Sequence, residues 1–114
     1  MVLIVDDEPS MRTALAETVR RMGYQVRSAI DGADAIEQVE RLKPWLVVTD
    51  LKMPRLNGLE LVKALKQKAP HTFIILMTAY GTVETAVEAM KYGANDYILK
   101  PFSTDLLERV IVNL

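Results

Sequence analysis

Four apolar runs in this chain end on residues able to do chemistry. Val2-Leu3-Ile4-Val5 leads into Asp6-Asp7-Glu8, and Trp45-Leu46-Val47-Val48-Thr49 leads into Asp50. Phe73-Ile74-Ile75-Leu76-Met77 ends on Thr78, and Tyr97-Ile98-Leu99 ends on Lys100. Runs of this kind, without polar alternation, read as strands buried on both faces. In an open α/β sheet, ligands bind beyond the carboxyl ends of the strands, so three acids, a hydroxyl and an amine are expected to converge on one pocket.

Three carboxylates held together repel one another by roughly 4 kcal/mol per close pair at an effective dielectric near 20, which requires compensation. A hard divalent cation, Mg²⁺ or Mn²⁺, provides it through oxygen ligands, and Asp6 and Asp7 form a neighbouring pair suited to holding one. Asp50 stands alone on its strand and is the candidate nucleophile toward phosphorus, a role open to a carboxylate. Lys100 supplies a compact positive charge that can face a carboxylate in one state and a phosphoryl oxygen in another. Phosphorylation would add charge and acceptor oxygens able to draw in the Thr78 hydroxyl, and with it the loop Ala79-Tyr80-Gly81.

The elements that must position these groups are legible in the same pattern. From Pro9 to Met22 the apolar residues Met11, Ala14, Leu15, Thr18, Val19 and Met22 step by three and four, leaving Arg12, Glu17, Arg20 and Arg21 off the stripe. Pro9 suits the first turn of that helix and Gly23 its exit. Tyr24 to Ala29 alternates like an edge strand, and Asp31-Gly32 opens a helix through Ala35, Ile36, Val39 and Leu42 that Lys43-Pro44 stops. A loop through Met53, Pro54 and Gly58 precedes a third helix packed through Leu61, Val62 and Leu65, closed by Pro70. Thr82 is the expected N-cap of a fourth helix with Val83, Ala86, Val87 and Met90 inward, ending at Gly93. Ser103 should cap a fifth, with Leu107, Val110, Ile111 and Leu114 inward.

Strand then helix, five times over, with right-handed crossovers, predicts a (βα)5 three-layer sandwich around a parallel sheet. The polar second strand belongs at an edge, which favours the flavodoxin-like order 2-1-3-4-5 with its switch point between the first and third strands, flanked by Asp6, Asp7 and Asp50.

Composition narrows the remaining classes. The 114 residues are half hydrophobic, enough for one domain with one core, and the formal net charge of -1 gives no reason for direct nucleic-acid binding. The absence of cysteine removes thiolate chemistry, no segment has the length of a membrane span, and the cytoplasm is the expected compartment. Trp45, the methionines, the exposed loop residue His71 and the solvated basic cluster Lys63, Lys66 and Lys68 are given no functional role.

Asp6-Asp7, Asp50 followed by Lys52-Met53-Pro54, Thr78-Ala79 and Lys100-Pro101-Phe102 together resemble the signature of the receiver domain of two-component response regulators. The resemblance spans essentially the whole chain, residues 1–114. It implies that Asp50 accepts a phosphoryl group from a sensor histidine kinase, that Asp7, Asp50 and the Lys52 carbonyl hold Mg²⁺, and that Asp6 supports the metal through water. It implies also that Thr78 and Lys100 contact the phosphoryl oxygens, that Tyr97 turns inward when Thr78 moves, and that Lys52 and Tyr80 tune the lifetime of the phosphorylated state. A cis bond between Lys100 and Pro101 is expected on the same ground. The stretch Met77 to Ala94 is similar to the nitrogen-regulatory, NtrC-like branch, which implies an output domain beyond this chain that controls transcription. The face made by the fourth helix, fifth strand and fifth helix, carrying Lys91, Tyr92, Asp96 and Arg109, lies nearest the Thr78 loop and is the expected surface for a partner or homodimer.

Three other functions share parts of this pattern. A flavin carrier needs a hydroxyl- and glycine-rich phosphate loop where this chain has Asp6-Asp7-Glu8-Pro9, so repulsion excludes it. A Mg²⁺-dependent phosphohydrolase lacks its acid-any-acid pattern after strand one. A docking module that has lost phosphorylation is opposed by the presence of Asp50, Thr78 and Lys100 together.

Overall fold

The computed structural model describes residues 1–79 and 83–114, with Val83 described by its backbone alone. The elements run β1 (Val2–Val5), α1 (Pro9–Arg21), β2 (Val26–Ala29), α2 (Gly32–Leu42), β3 (Leu46–Asp50), α3 (Gly58–Lys68), β4 (Phe73–Ala79), α4 (Val83–Lys91), β5 (Asp96–Lys100) and α5 (Thr104–Val112). The sheet is parallel with strand order β2-β1-β3-β4-β5, the flavodoxin-like order expected from the sequence. Among the described residues no helix is long and apolar enough to cross a membrane.

The period-2 alternation of the central strands divides the core in two. Leu3, Val5, Val47, Ile74 and Leu76 face α2, α3 and α4, where Ala35, Val39, Leu61, Leu65 and Ala89 meet them. Val2, Ile4, Leu46, Val48, Ile75 and Met77 face α1 and α5, against Leu15, Val19, Leu107 and Ile111. Burial on both sides explains why these strands lack polar alternation, and it fixes which residues reach the C-terminal rim.

Several local expectations change. β2 begins at Val26 rather than Tyr24, whose ring packs 5.5 Å from that of Trp45 between centroids. α2 ends with Lys43 in the left-handed region at φ 49, its amide donating to the Val39 carbonyl, so the reversal is made by a residue with a side chain before Pro44 is reached. On α4 Ala86 is buried as expected and Ala89 with it, whereas Val87, expected inward, is 45% exposed. The lysines of α3 are not a freely solvated face. Lys66 is half-buried and donates to the Thr72 carbonyl at 2.8 Å, and burial lowers its pKa. Lys68 pairs with Glu40 at 2.6 Å, and the Lys63 ammonium sits 4.2 Å from the centre of the Tyr92 ring. Ser103 caps α5 as expected, accepting from the Leu106 amide, and the Lys100–Pro101 bond is cis. Thr82, as the expected cap of α4, lies outside the described residues, as does the Tyr80-Gly81 part of the loop.

Candidate functional site

The polar rim is built at the carboxyl ends of β1, β3, β4 and β5. Asp6 follows β1 directly and is 1% exposed, while Asp7 beside it is exposed. Asp6 Oδ1 accepts from the Glu8 amide at 2.9 Å, and its main-chain carbonyl accepts from Arg12 Nη1 at 2.9 Å. The Glu8 carboxylate turns the other way and caps α1, accepting from the Ser10 and Met11 amides; these bonds, the Met11 amide foremost, lower its pKa. The turn carrying the acid pair is thus fixed at three points before any ligand enters.

Asp50, the last residue of β3, points an oxygen at Lys100 Nζ, 3.3 Å away, and its other oxygen accepts from the Lys52 amide at 3.3 Å. Lys100 also lies 3.8 Å from Asp6 Oδ2. One carboxylate oxygen each from Asp6, Asp7 and Asp50 falls within 4.8 Å of the others. Asp6 Oδ2 is buried and, among the described residues, has no hydrogen-bond partner. Burial raises the pKa of Asp6, reinforced by the charges of Asp50 and Asp7, while the Glu8 amide and Lys100 pull the other way. An orphaned buried oxygen inside an all-carboxylate cluster is the donor set a hard cation takes, so the residues fit Mg²⁺.

Thr78 is fully buried on β4, its hydroxyl donating to the Ala79 carbonyl at 3.2 Å; it follows Met77, which is in register with Asp50. Tyr97 lies three residues before Lys100 on β5, half-buried against the α2–α3–α4 side of the core. Lys52 is exposed in the loop after β3, and Tyr80 lies outside the described residues. The structure brings together the acids and lysine that the sequence was expected to gather, but sequence reasoning passed over Glu8 and Arg12. A glutamate just ahead of a helix-opening proline is a readable cap signal. The Arg12 contact has no such signal, since only the folded turn brings position 12 back to position 6.

Behind Asp50 the space is closed. Gly58 opens α3 between its cap Asn57 and Leu59, and its amide donates to the Leu51 carbonyl at 2.7 Å. A Cβ there would stand 2.7 Å from Leu51 Cα and 2.9 Å from the Asp50 carbonyl oxygen, both main-chain atoms that cannot swing aside. Gly58→Ala is therefore expected to lose about 1–3 kcal/mol of stability in urea unfolding, because the loop behind Asp50 has to move.

A flavodoxin-like sandwich thus gathers three carboxylates and a lysine at its switch point, a set suited to holding a hard cation. The chain belongs to the response regulator receiver domain family, whose sequence profile matches residues 2–112. Members of this family are phosphoacceptor switches of two-component systems. The chain is 38% identical over 110 residues to the regulatory protein AtoC of Escherichia coli, covering 96% of the chain and 24% of that protein. It is 40% identical over 102 residues to the chemotaxis protein CheY of Thermotoga maritima, covering 89% of the chain and 85% of that protein. The crystal structure of the receiver domain of NtrX from Brucella abortus superimposes with a TM-score of 0.91 at 32% identity, covering all of both chains. The chain therefore spans about a quarter of the length of relatives such as AtoC, and most of CheY.

Proposed function

We propose that Asp50 is the phosphoacceptor of this receiver domain and that a sensor histidine kinase is its donor. The observation that carries this reading is the meeting of the Asp6, Asp7 and Asp50 oxygens within 4.8 Å, with Lys100 3.3 Å from Asp50. An Asp50 oxygen attacks phosphorus, the new O–P bond forms as the N–P bond of the donor phosphohistidine breaks, and the imidazole leaves with the electron pair of that bond and takes a proton from solvent. Asp7, Asp50 and the Lys52 carbonyl, with Asp6 through water, would hold Mg²⁺, which when bound would supply charge neutralisation at the phosphoryl oxygens. Lys100 leaves its carboxylate partners to meet a phosphoryl oxygen, and Thr78 turns its hydroxyl to another. No general base is needed, because positioning and charge compensation dominate phosphoryl transfer. The domain acts only on itself, taking up the group and losing it slowly by hydrolysis, at a rate tuned through Lys52 and Tyr80.

Movement of Thr78 shifts the loop after β4 and lets Tyr97 turn inward, altering the α4–β5–α5 face. Val87, Leu99 and Leu106 are 45%, 43% and 39% exposed, apolar area that supports partner or homodimer contacts there. The similarity to AtoC and NtrX supports an NtrC-like regulator working in the cytoplasm, with an output domain outside this chain controlling transcription.

The test is incubation with acetyl phosphate and Mg²⁺. Intact mass gains one phosphoryl group, peptide mapping after borohydride reduction finds it at Asp50, and chelation of the metal prevents it. A modification at another residue, or one indifferent to chelation, would overturn the assignment.

The Arg12 contact adds a prediction whose sign is informative. Removing a positive charge near the acids should by itself tighten Mg²⁺ binding, whereas releasing the Asp6 carbonyl should loosen it by disordering the turn. With the bond at 2.9 Å the second effect is expected to win, so Arg12→Gln weakens Mg²⁺ by about fivefold, a hydrogen bond's worth. Titration followed at the Asp7 and Glu8 amides measures it, and tighter binding would show that charge alone matters.

A further inference from the structure

β2 is an open edge of the sheet, and its outer side is lined with arginines from three elements. Arg20 of α1, Arg27 of β2 and Arg41 of α2 border one cleft of about 380 Å³ together with Ser28 and Gln38. A second cleft of about 440 Å³, beside Tyr24 and Gln25, shares Arg20, Val26 and Arg27 with the first. The two adjoin along the strand through these shared residues. All three arginines are exposed, and none is in an ion pair among the described residues. The acids Glu17 and Glu40 on the same helices pair elsewhere, with Arg21 and Lys68.

The backbone of β2 is also open. The Gln25 and Ala29 carbonyls accept from β1, so by the alternation of parallel pairing the main-chain groups of Val26 and Ser28 face outward. The Ser28 carbonyl is taken by Gln38 Nε2, which leaves the Val26 groups and the Ser28 amide for a strand laid alongside. Three like charges on this edge repel a second copy of the same edge and attract a strand of opposite sign.

We propose that the β2 edge is a docking groove for an extended acidic segment of a partner protein. The segment adds a strand beside Val26 and Ser28, and its carboxylates are held by the guanidinium groups of Arg20, Arg27 and Arg41, which suit planar two-point pairing. The groove is separate from the Asp50 pocket, so occupancy does not require phosphorylation.

The probe is a blocked octapeptide alternating glutamate and valine, titrated into the isotope-labelled chain. Saturable shifts are expected along β2 and at Arg20 and Arg41, with slowed exchange of the Val26 and Ser28 amides. Arg27→Gln with Arg41→Gln should weaken binding by about tenfold or more while leaving acetyl phosphate labelling unchanged, as a check of folding. Shifts elsewhere, equal binding of the lysine-valine counterpart, or no saturation would overturn the proposal. So would competition by inorganic phosphate without amide protection, which would mean anion binding alone, and so would tighter binding of oligothymidylate than of the peptide.

Discussion

Replacing Lys100 with methionine is expected to slow phosphorylation by acetyl phosphate by roughly two to three orders of magnitude, the range seen when one preorganised charge-stabilising donor is removed. The ammonium faces Asp50 at 3.3 Å and Asp6 at 3.8 Å, and it is the cation that would meet the phosphoryl oxygens. Methionine keeps the stem's bulk, so the loss reports charge rather than packing. Mg²⁺ affinity should move the other way. With the Lys100 ammonium no longer opposing a cation in the pocket, binding is expected to tighten by roughly tenfold, the equivalent of about 1.4 kcal/mol. Slower phosphorylation with tighter metal separates Lys100 from a merely structural lysine, whose loss would weaken both. Initial rates at saturating Mg²⁺, paired with a metal titration, read the two effects.

How far the sequence reveals this molecule depends on whether a residue's partner is near it in the chain. The buried strands were legible because their runs alternate between two apolar layers, and the acids because they stop those runs at the same end of the sheet. Strand order followed from the polarity of Arg27 and Ser28, which suits only an edge. What escaped reading was set by packing across distant elements. Lys66 reads as solvated on its own helix, yet its ammonium reaches the Thr72 carbonyl beyond the helix end. Val87 sits one residue after Ala86 and is expected beside it, yet Ala89 is buried and Val87 is 45% exposed. Arg12 is off the apolar stripe of α1, a position that says solvent until the β1–α1 turn folds back and offers a carbonyl. The roles of Thr78 and Tyr97 depend on movement, and neither periodicity nor a single conformation encodes movement directly.

Burial of Asp6 in the pocket costs the fold stability when the carboxyl ionises. Its folded pKa lies above the ordinary value of 3.8, chiefly through burial, so the folded state holds the proton more tightly than the unfolded chain does. The contribution from Asp6 is then complete below the unfolded value and is lost as pH rises through the raised folded value. In chelator, the Asp6 part of the melting-temperature profile is expected to fall across that window, against the opposite contribution that Glu8 makes below its ordinary value of 4.5, since the ionised Asp6 carboxylate stays buried with Oδ2 lacking a hydrogen bond among the described residues. Mg²⁺ reverses the sign by binding the ionised form. At about a hundredfold over its dissociation constant it adds about 2.7 kcal/mol, roughly 10 °C in a domain of this size. Asp6→Asn cannot ionise, so it should melt higher than the parent in chelator at neutral pH, show a flatter pH profile there, and lose most of the increment from Mg²⁺. Thermal unfolding of both proteins, with and without metal across that pH window, checks each part. A variant that melts lower in chelator would mean that the Lys100 attraction outweighs burial and that the acid cluster is stable without a cation.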